Sequence, residues 1–192
     1  QAWQTLAPSH PGITLDFSGE LDEIQESLNA MLLLFVLGVG LMYLILGAQF
    51  KSYFQPLIIL LTIPMAFTGV AYGLWLTANP LSLYTLYGVI ALSGIAVNAA
   101  IVLISAANDR RAEGMGVLHA IVYASRRRLV PILITALTTM AGLMGLALGI
   151  GGHSLMFGPV ATAIVSGITV STLLTLFTIP LIYRLTARKP RA

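Results

Sequence analysis

The sequence has no cysteine. Disulfides, thiolate metal sites and cysteine nucleophiles are therefore excluded, and cysteine usage says nothing about the redox compartment. Charge is almost as scarce. Only 9% of the 192 residues are Asp, Glu, Lys or Arg, against about 25% in a soluble domain. The three histidines, His10, His119 and His153, stand far apart without metal-ligand spacing. No nucleophile–base pair, phosphate-cradling loop or HExxH pattern appears. No enzymatic activity, metal, cofactor or nucleic-acid partner is therefore expected.

What remains is apolar. Hydrophobic residues make up 57% of the chain, and its mean hydropathy is +0.90. A helix needs about 20 apolar residues to cross the hydrocarbon core. Five stretches are long enough, near 29–49, 55–76, 83–106, 130–150 and 157–182. Backbone polar groups in lipid must satisfy one another, and no period-2 alternation of a membrane barrel is present, so these are read as helices. The expected fold class is an all-α integral membrane bundle of five transmembrane helices with a short lead-in outside the membrane. The chain opens on QAWQTLAPSHPG, with no Met and no basic-then-apolar leader. It reads as part of a longer protein without a signal peptide. Residues 1–28 are soluble in character. They include a short alternating strand, Ile13 to Phe17, and an acid-rich helix start; five of the seven acidic residues lie here.

The basic residues predict orientation. Lys51 lies in the first connection. Arg110, Arg111, Arg126, Arg127 and Arg128 lie in the third, and Arg184, Arg188, Lys189 and Arg191 in the tail. The second and fourth connections, TANPLSL and GIGGHSLMFG, have none. Positive residues mark cytoplasmic loops, so the N-terminus is expected outside and the C-terminus inside. The third connection, 107–129, carries Met115, Leu118, Val122 and Leu129 at near-helical spacing among charged residues. It is expected to be an amphipathic helix on the inner membrane surface. Residues 183–192 form a basic cytoplasmic tail.

Small residues mark close helix approach in lipid. They recur at Gly69 and Gly73, at Ala141, Gly145 and Gly149, and at Ala163, Gly167, Ser171 and Thr175. Pro56, Pro131 and Pro159 are placed in first turns, while Pro64 is expected to kink the second span.

No Asp, Glu, Lys, Arg or His falls inside an expected span, so this chain by itself cannot relay protons. The polar residues within spans are uncharged: Ser93, Asn98, Ser105 and Asn108 in the third span, and Thr135, Thr138 and Thr139 in the fourth. Asn98 calls for a partner on another helix, and the three threonines are candidates. These groups serve either as glue between helices or as the lining of a proton or water path.

Four segments in order, LDFSGELDEIQESLNAM, YLILGAQFKSYFQPLIILLTIPMAFTG, GVIALSGIAVNAAIVLISAANDRRAEG and AIVYASRRRLVPILITALTTMAGLMGLAL, resemble the resistance–nodulation–division permeases of the hydrophobe/amphiphile efflux branch. The resemblance covers essentially the whole chain and matches spans eight to twelve of a twelve-span protein. It implies the C-terminal membrane half of a proton-driven exporter of small molecules in the bacterial inner membrane. Such a permease is a homotrimer that works with a periplasmic adaptor and an outer-membrane channel. It also implies that Val97 takes the position of the family's relay lysine, uncharged here. Asn98 is followed by Ala99 rather than an acid, and Thr135 matches the threonine near the relay. A degenerate, non-transporting scaffold and an export or lipid-transport protein of the same superfamily are the alternatives.

Overall fold

A computed structural model describes residues 19–150, 152 and 154–186. The expected strand at Ile13 to Phe17, His10, His153 and most of the basic tail lie outside these. The described residues form six helices: α1 (Gly19–Phe50), α2 (Phe54–Leu60), α3 (Thr62–Thr77), α4 (Leu83–Ala112), α5 (Val117–Ala147) and α6 (Phe157–Thr186). Taking α2 and α3 as one broken rod, five helices are long and apolar enough to cross a membrane. The chain is an all-α transmembrane bundle.

Local chemistry explains the boundaries. Asp22, Glu23 and Glu26 lie near the start of α1, where carboxylates favour the positive end of the helix dipole. Lys51, at a left-handed φ of 47°, ends that helix and turns the chain into α2. Pro64 has no N–H for the Leu60 carbonyl, and the rod breaks one residue on, at Leu61. The hydroxyl of Thr62 donates to the Ile59 carbonyl at 2.7 Å across the break. The expected kink is there, and it sets Pro64 in the first turn of α3. Ser82 and Thr85 form a reciprocal capping box at the start of α4. Ser154 accepts from the Phe157 amide at the start of α6.

The third connection is helical, as its spacing predicts, but it is not a separate helix. Residues 107–112 continue α4, and a four-residue turn leads into α5, which runs unbroken from Val117 to Ala147. Pro131 therefore lies inside α5 and not in a first turn. It removes one rung, to the Arg127 carbonyl, and neighbouring rungs hold the helix together. The turn is fastened by Arg110, which pairs with Glu113 at 2.6 Å and lies 4.7 Å over the Tyr123 ring.

The chain divides into two units, Gln1–Val36 and Leu37–Ala192. In the first, the described residues belong to α1 and expose Leu32, Leu33, Leu34 and Val36. In the second, α6 is the central rod: half of its apolar stretch is buried, against 11% for α5. It packs on α3, α4 and α5. Ala66 and Val70 of α3, Leu92 and Ala96 of α4, Ala136 of α5, and Ala163, Ile164 and Ile168 of α6 form the core.

Two of the three small-residue stripes make this packing. A Cβ at Gly69 would lie 2.8 Å from the Ser166 carbonyl oxygen, and one at Gly73 would overlap the Ser166 side chain. One at Gly167 would overlap Leu92. Dispersion between backbones replaces the absent hydrophobic drive at these crossings. The α5 stripe does not join them: a Cβ at Gly145 would meet nothing within 4 Å. Leu137, Met144 and Leu146 are exposed along α5.

Candidate functional site

Between α4, α5 and α6 lies a small cleft with about 60 Å³ of free volume. Its polar lining is Asn98 from α4, Thr135 and Thr139 from α5, and Ser171 and Thr172 from α6. Thr135 and Thr139 share a face because they are one turn apart; Ser171 and Thr172, about 100° apart on α6, are both buried on its broad core-facing side. Ala96, Ala99 and Ala136 also line the cleft; short side chains leave it open.

Three of the four hydroxyls are already committed as donors. Thr135 donates to the Ile132 carbonyl at 2.9 Å, with the Pro131 carbonyl at 3.1 Å, and Thr139 donates to the Thr135 carbonyl at 2.9 Å. Ser171 donates to the Ile168 carbonyl at 3.3 Å. Each of these three oxygens therefore offers lone pairs to the cleft rather than a proton, whereas the Thr172 hydroxyl makes no hydrogen bond among the described residues and can donate. The Asn98 side chain makes no hydrogen bond among the described residues, so its amide brings both a donor and an acceptor. The expected Asn98–threonine bonds are not formed; the threonines donate to carbonyls of their own helix instead.

The other expected site residues lie elsewhere. Ser93 is buried and donates to the Ile90 carbonyl at 2.6 Å. Thr138 is exposed and donates to the Ile134 carbonyl at 2.8 Å, on a different face from its neighbour Thr139. Val97 is 5% exposed and packs in the helix interface. Of positions 97 and 98, it is 98 that opens on the cleft. No ionisable side chain lines it. The arrangement can hold and orient water through acceptors, one amide and the Thr172 hydroxyl, but it has no group that could itself take up a proton at neutral pH.

Two members were not foreseen. Ser171 was read only as part of a packing stripe, and Thr172 was not singled out. Adjacent hydroxyls four to five residues beyond Gly167 are a weak signal, because the same helix also carries Thr162, Ser166, Thr169, Thr175 and Thr178. A second polar cluster was also missed. Gln55 and Asn108 exchange amide hydrogen bonds of 2.8 and 3.2 Å, and the Tyr183 hydroxyl donates to Asn108 Oδ1 at 2.6 Å. Tyr183 is 1% exposed. This cluster ties the start of α2 to the ends of α4 and α6. It thereby gathers Lys51, Arg110, Arg111 and Arg184 at one end of the bundle. Among the described residues no group of His, Asp or Glu could hold a metal.

Comparison with known proteins bears on the whole arrangement. The family model described as the AcrB/AcrD/AcrF family matches residues 4–187. The chain is 38% identical over 168 residues to the multidrug resistance protein MdtC of Erwinia tasmaniensis, covering 87% of this chain and 16% of that protein. It is 33% identical over 181 residues to the swarming motility protein SwrC of Bacillus subtilis, covering 93% of this chain and 17% of that one. A crystal structure of a heavy metal efflux pump superposes with a TM-score of 0.76 at 30% identity, over 87% of this chain and 17% of that one. The chain thus spans less than a fifth of the length of these relatives. The family match over nearly its full length, on a bundle built from the motif-bearing spans, shows that the chain belongs to the AcrB/AcrD/AcrF family of resistance–nodulation–division permeases.

Proposed function

We propose that the chain is the C-terminal membrane half of a proton-driven efflux permease. Its α4–α5–α6 cleft lines the water-filled part of the proton path. The observation that carries this reading is the convergence of Asn98, Thr135, Thr139, Ser171 and Thr172 on one opening between three spans. Polar groups in lipid face a bundle interior or a water-filled cavity. An opening with acceptors and no acid calls for a charged partner, which the N-terminal half would supply. Asn98, not Val97, is the α4 position from which a relay group would act, because it is the one that opens on the cleft. Coupling then rests on acids outside this chain, with Asn98 and the hydroxyls holding the water between them.

Membership in the family supports a multi-pass protein of the bacterial inner membrane. We place the N-terminal lead-in, residues 1–28, in the periplasm and the basic end in the cytoplasm, since the fold gathers the first connection and the ends of α4 and α6 on one side. The assembly we propose is a homotrimer working with a periplasmic adaptor and an outer-membrane channel. A second reading, a non-transporting scaffold, is favoured by the lack of any ionisable group in the cleft.

The test is substrate-dependent proton flux by the full-length protein in proteoliposomes. Asn98→Leu and Thr135→Val each remove a hydrogen-bonding group from the path. At about 1–1.5 kcal/mol per lost bond, flux is expected to fall about tenfold, while Thr138→Val leaves it unchanged. Flux in the wild type that ignores Asn98→Leu would reject the cleft as the path. No substrate-dependent flux in the wild type would favour the scaffold.

A further inference from the structure

Two openings flank the tight turn between α1 and α2. One is a groove of about 400 Å³ lined by Tyr43, Leu44, Gly47, Lys51, Ser52 and Tyr53. The other, of about 230 Å³, has Ser52, Gln55, Arg111 and Tyr183 in its lining. Ser52 lines both, so they adjoin.

The groove changes character along its length. Its floor is apolar, with Leu44 and a glycine; a Cβ at Gly47 would meet nothing within 4 Å. Its mouth is cationic. Lys51 is exposed there, and the ion pair found among the described residues is Arg110 with Glu113, so Lys51 has no carboxylate partner among them. Two hydroxyls stand beside it. That of Tyr43 reaches the Tyr53 carbonyl at 3.4 Å, long enough to be given up to a better acceptor. A tyrosine pair and a lysine at the end of an apolar helix mark headgroup depth. Arg111 in the adjoining opening adds positive potential.

We propose that this groove binds an anionic glycerophospholipid. The phosphate sits on Lys51 and Ser52, the glycerol esters lie near the Tyr43 hydroxyl, and one acyl chain runs along Leu44 and Gly47. Charge complementarity selects this occupant. A zwitterionic lipid brings its own ammonium against Lys51, and a soluble phosphate leaves the apolar floor uncovered. Basic pockets at the membrane surface between helices hold anionic headgroups on the same physical grounds.

The full-length protein, purified in detergent and stripped of lipid, would be examined by native mass spectrometry. Phosphatidylglycerol, phosphatidylethanolamine or glycerol 3-phosphate would be added at equal concentration. Phosphatidylglycerol is expected to be retained preferentially. Lys51→Gln should lower its retention about fivefold, the ratio for one basic residue at a membrane surface, and Lys51→Arg should restore it. Gly47→Leu should also lower retention, by filling the floor without touching the charge. Arg127→Gln should not. Should Gly47→Leu prevent folding, the Gln/Arg pair at position 51 carries the test. The proposal is overturned if Lys51→Gln retains as much as the wild type. It is also overturned if Arg127→Gln loses as much as Lys51→Gln, which would indicate diffuse attraction, or if glycerol 3-phosphate competes on equal terms, which would indicate a free-anion site.

Discussion

The crossing of α3 on α6 allows one side-chain carbon to be moved from one helix to the other. A Cβ at Gly73 would overlap Ser166 Cβ and Oγ, and its next neighbour, Ser166 Cα, is 3.8 Å away, an ordinary contact. Gly73→Ala alone should cost about 1–3 kcal/mol in overpacking. It should regain about 1 kcal/mol in helix propensity, for a net loss of about 0–2 kcal/mol. Ser166→Gly alone gives up roughly 0.5 kcal/mol of propensity and the hydroxyl's 2.7 Å bond to the Thr162 carbonyl, which is local to its own helix. Together the two substitutions remove the overlap. The double variant should lie within about 0.5 kcal/mol of the wild type, so the coupling between the sites equals the overpacking, about 1–3 kcal/mol. The assay is a double-mutant cycle on the full-length protein, unfolded by SDS titration in mixed micelles. Additivity within about 0.5 kcal/mol would refute this packing of α3 on α6, because distant positions add and overlapping ones cannot.

Further expectations follow from other sites. Tyr183→Phe deletes the 2.6 Å bond to Asn108 and should cost about 1 kcal/mol; Asn108→Ala strands both Gln55 and Tyr183 and should cost roughly 2 kcal/mol or more, read by the same titration. Val97→Asp places a carboxyl at a buried position and should destabilise by roughly 3 kcal/mol or more. Asn98→Asp opens on the cleft and should leave stability near that of the wild type; equal losses would show that the cleft does not distinguish the two positions. For orientation, Arg127→Cys and Ser154→Cys would be made in a full-length protein with its other cysteines removed. A thiol reagent confined to the periplasm should label position 154 and spare 127 in intact cells.

Much of the fold was legible in the sequence because lipid imposes a simple rule. Uninterrupted apolar runs must be helices, and their lengths suffice to count the spans. The kink at Pro64 followed from a missing N–H, and the capping residues follow from local chemistry. The extent of the helices was less legible. Residues 107–129 read as a separate amphipathic piece because charge interrupts the apolar run, yet backbone hydrogen bonding is indifferent to that change: α4 runs on to Ala112, and α5 runs from Val117 straight through it. Pro131, set in a first turn by that reading, is interior for the same reason.

Side-chain partners were beyond local rules. Periodicity shows that Gly69, Gly145 and Gly167 each lie in a small-residue stripe, but not which stripes meet; packing brought α3 and α4 onto α6 and left the α5 stripe uncovered within the described bundle. The same holds at the cleft. Asn98 and the threonines of α5 were visible as polar groups in apolar spans, but each residue turns a helix by about 100°. A one-residue difference in register therefore decides whether 97 or 98 opens on the cleft. Composition and charge thus determined the solvent, the helices and their number. The tertiary structure decided which faces touch and which polar groups share an opening, because these depend on rotations and crossings that no stretch of chain encodes alone.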